Sequence, residues 1–254
     1  MTSPRTAASA GIAATDIRFG ARGWGETFRN TKNTMIDYTQ SGEQRVIIDF
    51  FRGKPCHWLS VGENDGTTYS NVRALSLLGH PGVAVEPAAP AFAKLLALYR
   101  PEGRPPLRLS EGVYRCDNIV LVNAAITTRD GPVDFYDSGT HLKKGDTSLL
   151  ATTRPEEMAR WKKSGEQFTK TTARGITVKT LLKECGRTQF DFVSIDAEGV
   201  DYQILVQLDL TAMGVKMVCV ETNSIDNQKY VEYCAKFGMK LAWKCHENLI
   251  FSKA

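Results

Sequence analysis

The segment that decides the fold of this chain is Trp58-Leu-Ser-Val-Gly-Glu-Asn-Asp-Gly66. It joins a short apolar run to a turn bracketed by two glycines, and a second apolar run, Val83-Ala-Val, ends in Glu86. In an open α/β sheet this order places a loop whose backbone a ligand can approach closely beside a carboxylate. Both lie at the carboxyl ends of neighbouring strands, where nucleoside cofactors bind. The pattern predicts a site for a cofactor that contains adenosine.

The residues inside the turn distinguish two classes of cofactor. A dinucleotide site needs closely spaced glycines so that the pyrophosphate can approach the backbone, whereas this turn carries Glu63 and Asp65 between its glycines. Carboxylates repel a pyrophosphate and attract a cation such as a sulfonium or an ammonium group. The turn therefore favours S-adenosyl-L-methionine over NAD. A nucleotide-dependent oxidoreductase and a purely structural turn stay open as alternatives.

Composition narrows the function classes further. The 254 residues are 42% hydrophobic and 24% charged, which is typical of a globular protein with a full core. No apolar run is long enough to span a membrane, and the net charge of +4 is too small to predict nucleic-acid binding. The six cysteines include no Cys-x-x-Cys pair, so we expect reduced thiols in a cytoplasmic protein. The oligomeric state stays open, with a homo-oligomer as one option.

Composition also suggests where the folded domain lies. Residues 1–16 are rich in Ala, Ser and Thr and are predicted to form a disordered tail. Residues 17–254 are predicted to form a single domain. Within it, residues from about 137 to 174 combine many Lys and Arg residues with weak hydrophobic periodicity, which indicates a basic inserted lid with partial helix.

Strand-like and helix-like patterns alternate along the domain, which predicts an α/β fold of the Rossmann-like type. We expect a mostly parallel seven-stranded sheet with an antiparallel strand at its C-terminal edge. The predicted strands are 58–61, 83–86, 119–122, 190–195, 217–220, 239–244 and 248–251. The dipeptide Gly131-Pro132 separates residues 125–127 from 133–136 and predicts a hairpin.

At this point several separated segments resemble, in order, the FkbM family of S-adenosylmethionine-dependent methyltransferases. The resemblance covers about Tyr38 to Phe251, and its segments are Tyr38-Thr-Gln-Ser-Gly-Glu43, Val61-Gly-Glu-Asn-Asp-Gly66, Val85-Glu86-Pro87, Asn123-Ala-Ala125 with Gly131–Tyr136, and Phe190 to Gly199. The last segment contains the family's Asp-x-Glu-Gly signature and is, together with Glu221, the most specific. The chain departs from the family at Ser60, where the family has Asp, and at Glu63, where it has a small residue.

The resemblance implies a class I methyltransferase fold, S-adenosyl-L-methionine as the cofactor, and a set of binding residues. Glu86 would hold the ribose hydroxyls, and Asn123 and Ala124 would lie near the adenine. The implied cofactor-binding residues are Gly62, Glu63, Asn64, Asp65, Gly66, Glu86, Pro87, Asn123, Ala124 and Asp196. Because Ser60 and Glu63 alter the loop, a non-catalytic binding module with the same fold stays open.

Three acids are the candidate catalytic residues: Asp196, Glu198 and Glu221. An acid at the end of the fourth parallel strand lies beside the methyl donor in this architecture and can accept the proton of an alcohol. Methyltransferases that act on amines often carry Asn or Asp before Pro-Pro-aromatic at this place, so Asp196-Ala-Glu-Gly199 favours oxygen as the acceptor atom. FkbM relatives methylate hydroxyls of sugars, glycolipids and polyketides. The resemblance implies a saccharide, glycoconjugate or other small-molecule acceptor.

Two further sites are predicted near these acids. Asp196, Glu221 and Asn223 offer two carboxylates and an amide oxygen, which suit Mg²⁺, although binding the substrate or capping a helix are alternatives. His141, Lys143 and Trp161 in the basic insertion are candidate substrate contacts. The insertion has three interpretations: a solvated lid face, a surface for an anionic saccharide, or a nucleic-acid surface.

Overall fold

The computed structural model describes residues 36–140, 147–162, 165–222 and 226–253. Its strands form two β-sheets. The predicted tail of residues 1–16 lies outside the described residues. In chain order the strands are β1 (Trp58–Val61), β2 (Gly82–Val85), β3 (Leu107–Ser110), β4 (Val113–Cys116), β5 (Ile119–Val122), β6 (Ala125–Ile126), β7 (Gly131–Asp137), β8 (Thr169–Ile176), β9 (Phe192–Ile195), β10 (Met217–Glu221), β11 (Lys240–Lys244) and β12 (Asn248–Ser252).

The main sheet has nine strands in the order β11-β12-β10-β9-β1-β2-β5-β4-β3. Its five central strands, from β10 to β5, are parallel, and β12 runs antiparallel to both of its neighbours. The predicted Rossmann-like α/β fold is confirmed. All residues of β1, β2, β5 and β9 are buried, because helices cover both faces of a parallel sheet.

The main sheet is larger than predicted, and its C-terminal strand is not at the edge. Residues Leu107–Cys116 form the hairpin β3–β4, which adds two strands beside β5. All four residues of β3 are exposed, and its alternation of Leu107 and Leu109 with polar residues is a strand signal that the predicted strands left out. The last strand, β12, is buried from Asn248 to Phe251 and lies between β10 and β11, whereas the largely exposed β11 forms the edge.

The helices of the described residues are α1 (Glu43–Phe51), α2 (Arg73–Leu77), α3 (Ala89–Tyr99), α4 (Pro155–Lys162), α5 (Val178–Cys185), α6 (Asp201–Leu205) and α7 (Asn227–Ala235). The structure contains no helix, within the part of the chain it describes, that is long and apolar enough to cross a membrane. Helix α2 begins at Arg73, whose N–H donates to the Ser70 hydroxyl at 2.9 Å. The residues between β1 and α2 form a loop.

The predicted hairpin between residues 125–127 and 133–136 was wrong. Strands β6 and β7 do not pair with each other; both pair with β8, in parallel and antiparallel directions respectively. Strand β8 matches β7 over seven residue pairs, from Gly131 with Gly175 to Asp137 with Thr169. The seven-pair ladder between β7 and β8 forms in place of a hairpin closed by the turn at Gly131-Pro132. The C-terminal part of the predicted insertion is thus a central strand of the second sheet.

Candidate active site

A cavity of about 300 Å³ lies at the carboxyl ends of β1, β2, β9 and β10. This end of an open α/β sheet is where such folds bind ligands. Its wall includes Gly62 after β1, Glu86 after β2, Asp196 after β9 and Glu221 at the end of β10. The side chains predicted from separated motifs therefore meet in one place.

Gly62 allows the loops after β1 and β9 to touch. Its φ of 81° lies in the left-handed region, and a Cβ at this position would lie 1.6 Å from the carbonyl oxygen of Asp196. The Asp196 N–H donates to the Val61 carbonyl at 2.9 Å. Any side chain at position 62 would push the two loops apart and move Asp196 away from β1.

Glu86 is a buried carboxylate held by backbone groups. Its Oε2 accepts the Asn64 N–H at 2.9 Å, and its Oε1 accepts the Ala88 N–H at 2.7 Å. Burial raises the pKa of Glu86 to about 8. Each carboxylate oxygen has a second lone pair, so Glu86 retains the capacity to accept hydrogen bonds from two ligand hydroxyls in the cavity.

Ser60 and Glu63, the two departures from the family pattern, contact each other. The Ser60 hydroxyl donates to Glu63 Oε2 at 2.6 Å, and the Ser70 hydroxyl donates to Glu63 Oε1 at 2.6 Å. Burial raises the pKa of Glu63 to about 7, and the charges of Asp65 and Asp196 act in the same direction. The carboxylate missing at position 60 is thus supplied to the same corner of the cavity by Glu63.

Replacing Glu63 by Gln is expected to remove a pH-dependent loss of stability. Glu63 has a pKa raised from 4.5 to about 7, so its proton favours the folded state, and this stability is lost as the pH rises through 7. Between pH 5 and pH 8 the wild type should lose about 2–3 kcal/mol more than the variant. Gln keeps a partner for both serine hydroxyls.

Urea unfolding of the cofactor-free protein at both pH values measures the difference between the wild type and Glu63→Gln. The other buried acids are present in both proteins, so the difference reports Glu63. An equal loss of stability in the two proteins would show that Glu63 is ionised throughout this pH range.

Asp196, Glu198 and Glu221 form an acidic cluster, in which one carboxylate oxygen of each lies within 4.8 Å of the others. Burial raises the pKa of Asp196 to about 7, helped by the charge of Asp201. Burial and then the charge of Asp196 raise the pKa of both Glu198 and Glu221. Oε2 of Glu221 is buried without a hydrogen-bond partner within the described ranges. The cluster can share protons or bind a cation.

Asp201 shapes the loop that presents this cluster, and sequence reasoning missed it. Its carboxylate accepts the Ala197 N–H at 2.7 Å and the Gly199 N–H at 3.0 Å. Between these anchors Glu198 has a φ of 48°. The sequence gives little indication of this role for Asp201, because an acid in the first turn of a helix usually indicates only a helix cap.

Most of the predicted site residues line the cavity: Gly62, Glu63, Asn64, Glu86, Pro87, Ala124, Trp161, Asp196, Glu198 and Glu221. Asp65, Gly66 and Asn123 do not belong to its wall. Asp65 accepts hydrogen bonds from residues 67 and 68, and Asn123 donates to the carbonyl of Glu86 at 2.8 Å. His141, Lys143 and Asn223 lie outside the described residues.

The described wall of the cavity is acidic. It contains six carboxylates, from Glu63, Glu86, Asp196, Glu198, Glu221 and Glu247, and no Lys, Arg or His side chain. Of the cations in the insertion, Arg160 pairs with Glu157 and with Glu198 of the wall, whereas Lys170 pairs with Asp134 and Arg174 with Glu184, away from the cavity. The described part of the cavity therefore favours a neutral or cationic ligand over an anion.

Sequence reasoning also missed the polar residues that link the loop after β1 to the sheet. Asn71 is buried and donates from Nδ2 to the Ser194 hydroxyl at 3.1 Å. Gln40, Tyr69, Ser148 and Glu247 also line the cavity. The sequence analysis assigned none of them to the site, although Gln40 belongs to the segment 38–43 that resembles the family, because only the fold brings these residues together.

Comparison with known proteins identifies the family. The family model described as the methyltransferase FkbM domain matches residues 60–239. No curated protein matches this chain. The human methyltransferase 10 domain containing protein is a similar solved structure, with 9% identity over 84% of this chain and 81% of that chain and a TM-score of 0.43. A TehB-like SAM-dependent methyltransferase from Corynebacterium glutamicum has 12% identity over 86% of this chain and 90% of that chain, with a TM-score of 0.39. The ribosomal protein L11 methylase from Lactobacillus delbrueckii subsp. bulgaricus has 12% identity over 83% of this chain and 77% of that chain, with a TM-score of 0.38.

The match of the family model covers more than half of the chain and includes the acid-bearing ends of three strands, β2 with Glu86, β9 with Asp196 and β10 with Glu221. The class I fold implied by the resemblance is confirmed, with two additional strands at one edge. The chain belongs to the FkbM family of S-adenosylmethionine-dependent methyltransferases.

Proposed function

We propose that this chain is an O-methyltransferase that transfers a methyl group from S-adenosylmethionine to a hydroxyl of a sugar or glycoconjugate. The observation that carries the proposal is that Glu86 and the cluster of Asp196, Glu198 and Glu221 line one cavity. Glu86 suits a pair of ribose hydroxyls, and the cluster suits the proton of an acceptor hydroxyl. The acidic wall also suits the positive charge of a sulfonium.

The residues of the cavity fit the cofactor. Glu86 has two acceptor positions left for the ribose hydroxyls, Pro87 and Ala124 offer apolar surface for the adenine, and Glu63 offers a carboxylate for the ammonium group. When bound, S-adenosylmethionine supplies a methyl carbon made electrophilic by the positively charged sulfur.

The role of the protein is chiefly to position the acceptor and to take up its proton. Asp196 is our candidate base, because it follows β9 directly and lies in the cavity wall. Glu198 and Glu221 flank it within 4.8 Å and provide further acceptors for that proton. The guanidinium of Arg160, 3.4 Å from Glu198, limits the repulsion among the three acids.

An acceptor screen tests the proposed function. Labelled S-adenosylmethionine is incubated with the protein and panels of neutral saccharides, glycolipids, polyketide alcohols, peptides and RNA, and calorimetry measures cofactor binding in parallel. We expect cofactor binding and label transfer to a saccharide hydroxyl. Transfer to a polyketide would change the acceptor class, and transfer to an amine would overturn O-methylation. Failure of calorimetry to detect binding of S-adenosylmethionine would support the non-catalytic binding module.

We also propose that the acidic cluster binds Mg²⁺. Sequence reasoning selected Asp196, Glu221 and Asn223, and the contacts of the described residues support Glu198 as a further ligand. The unpartnered Oε2 of Glu221 is the supporting observation, because a buried carboxylate oxygen without a partner is costly unless a ligand satisfies it. Carboxylates are the ligands that Mg²⁺ prefers. A bound cation would polarise the acceptor hydroxyl.

Titration of MgCl₂ into the chelator-treated protein tests this site by calorimetry and by thermal unfolding. At a hundred times the dissociation constant, binding should stabilise the fold by roughly 2.7 kcal/mol. Glu221→Gln should abolish the heat of binding and the stabilisation. Glu232→Gln, on the exposed face of α7, is the matched control and should preserve both. Absence of Mg²⁺ binding in the wild type would reject the metal site.

We further propose that residues 17–254 act as one domain, in which residues 148–161, the part of the predicted insertion before β8 that lines the cavity, form a lid. Residues 148–153 and Trp161 line the cavity wall, which supports the lid. The six free cysteines support a cytoplasmic location, where thiols stay reduced.

A further inference from the structure

Backbone strain is concentrated around the cavity. Among the described residues, six residues other than glycine have a positive φ, and four of these line the cavity: Asn64, Tyr69, Ser148 and Glu198. Left-handed backbone is tolerated by Asn but is unfavourable for a bulky aromatic residue. Tyr69, with a φ of 55°, is therefore the most unusual of the four.

The loop holds Tyr69 in this conformation from both sides. On one side, Thr68 donates from its N–H and its hydroxyl to the carboxylate of Asp65, at 2.8 and 3.0 Å. On the other side, Ser70 donates to Glu63 at 2.6 Å and accepts the N–H of Arg73 at 2.9 Å. Strained residues persist only when their surroundings determine them in this way, and they cluster at functional sites.

The side chain that this strain positions is exposed at the cavity. Tyr69 retains 42% of its accessible surface although it belongs to the cavity wall. An exposed aromatic ring beside a polar cavity provides a rigid apolar face with a polar tip. Ser148, in the same wall, has a buried hydroxyl without a hydrogen-bond partner in the described ranges. The pair suits a ligand that presents both C–H groups and hydroxyls.

Building on the proposed function, we infer that Tyr69 selects the acceptor by packing its ring against the C–H face of an uncharged saccharide ring. The described wall offers six acidic side chains and no Lys, Arg or His to pair with a phosphate or carboxylate, so it disfavours phosphorylated or acidic sugars. Tyr69 is thus a specificity-determining residue and takes no part in the proton transfer. The unpartnered hydroxyl of Ser148 is placed to bond a hydroxyl of the same ring.

Three variants of Tyr69 separate this role from a structural one. Tyr69→Phe keeps the ring, Tyr69→Ala removes it, and Tyr69→Gly removes it and also relieves the backbone strain. The probes are methyl glycosides of common hexoses and pentoses and their phosphate esters, with labelled S-adenosylmethionine as the donor. We expect KM for the best neutral glycoside to rise about tenfold in the Ala and Gly variants and to change little in Phe.

The Gly variant should unfold at the same or a higher temperature than the wild type, and its affinity for S-adenosylmethionine should be unchanged. Asp117→Gly is the matched control for strain, because Asp117 also has a positive φ, of 54°, but lies outside the cavity wall. It should leave KM unaltered.

Two results would overturn the inference while leaving the proposed function intact. One is an unchanged KM in Tyr69→Gly together with normal methyl transfer. The other is a preference of the wild type for a phosphate ester over its neutral glycoside. A wild type that binds the cofactor but methylates no hydroxyl would instead overturn the proposed function, and this inference with it.

Discussion

Asp196→Asn is expected to lower kcat by about 10²–10⁴-fold while the affinity for S-adenosylmethionine stays within a few-fold of the wild type. The amide cannot accept the proton of the acceptor hydroxyl, whereas its size and the backbone bond from Asp196 to Val61 are preserved. Initial rates at saturating acceptor and Mg²⁺ measure kcat, and calorimetry measures cofactor binding. Saturating Mg²⁺ limits any contribution from weaker metal binding.

Asp191→Asn is the matched control for this prediction. Asp191 precedes β9 and Asp196 follows it, so the two acids lie at opposite ends of the same strand. Asp191 forms an ion pair with Lys216 at 2.6 Å, and its replacement should affect stability but not kcat of the folded enzyme. If Asp196→Asn turned over within threefold of the wild type, another group would have to accept the proton.

Glu86→Ala is expected to weaken S-adenosylmethionine binding by about 10²-fold. Above its pKa of about 8 Glu86 is ionised, and hydrogen bonds to a charged group contribute about 1.5–3 kcal/mol each; the variant would lose two that the ribose hydroxyls make, partly offset by water. Glu86→Gln keeps one acceptor oxygen and should weaken binding by about tenfold. Calorimetric titration with S-adenosylmethionine measures both values.

Stability has to be followed in the same variants. Glu86 accepts the N–H groups of Asn64 and Ala88, and Ala would leave both of these buried donors without their partner. We therefore expect Glu86→Ala to melt at a lower temperature, and the titration is performed below that temperature. Glu102→Ala, at an exposed acid outside the cavity wall, controls for the loss of one negative charge. Unchanged affinity in both Glu86 variants would remove Glu86 from the cofactor site.

The relation between Ser60 and Glu63 shows what residue spacing alone conceals. In the sequence the two residues are separate departures from the family pattern, and they kept a non-catalytic binding module open as an alternative. In the structure they form one hydrogen-bonded pair, because the chain turns back at Gly62 and brings Glu63 beside the end of β1. A carboxylate remains in this corner of the cavity, which weakens that argument against cofactor binding.

The strand pairing of the second sheet also could not be predicted from local sequence patterns. Gly131-Pro132 is a strong local turn signal, yet β6 and β7 pair with β8, whose residues lie over 30 positions away. Turn chemistry acts between neighbours in sequence, whereas the pairing partner depends on the whole length of the ladder. The hairpin β3–β4 escaped prediction for another reason, since the alternating pattern of β3 is only four residues long and directly follows the Pro- and Gly-rich residues 101–106.

The sequence by itself determined the Rossmann-like core and the acids at its strand ends, because buried parallel strands require continuous apolar runs and the residues after them share one edge. The tertiary structure was needed to show that carboxylate oxygens of Asp196, Glu198 and Glu221 lie within 4.8 Å of one another, that Asp201 holds their loop, and that Tyr69 lines the cavity. The physical reason is that side-chain directions in loops depend on left-handed backbone positions and long-range hydrogen bonds, which residue spacing does not encode.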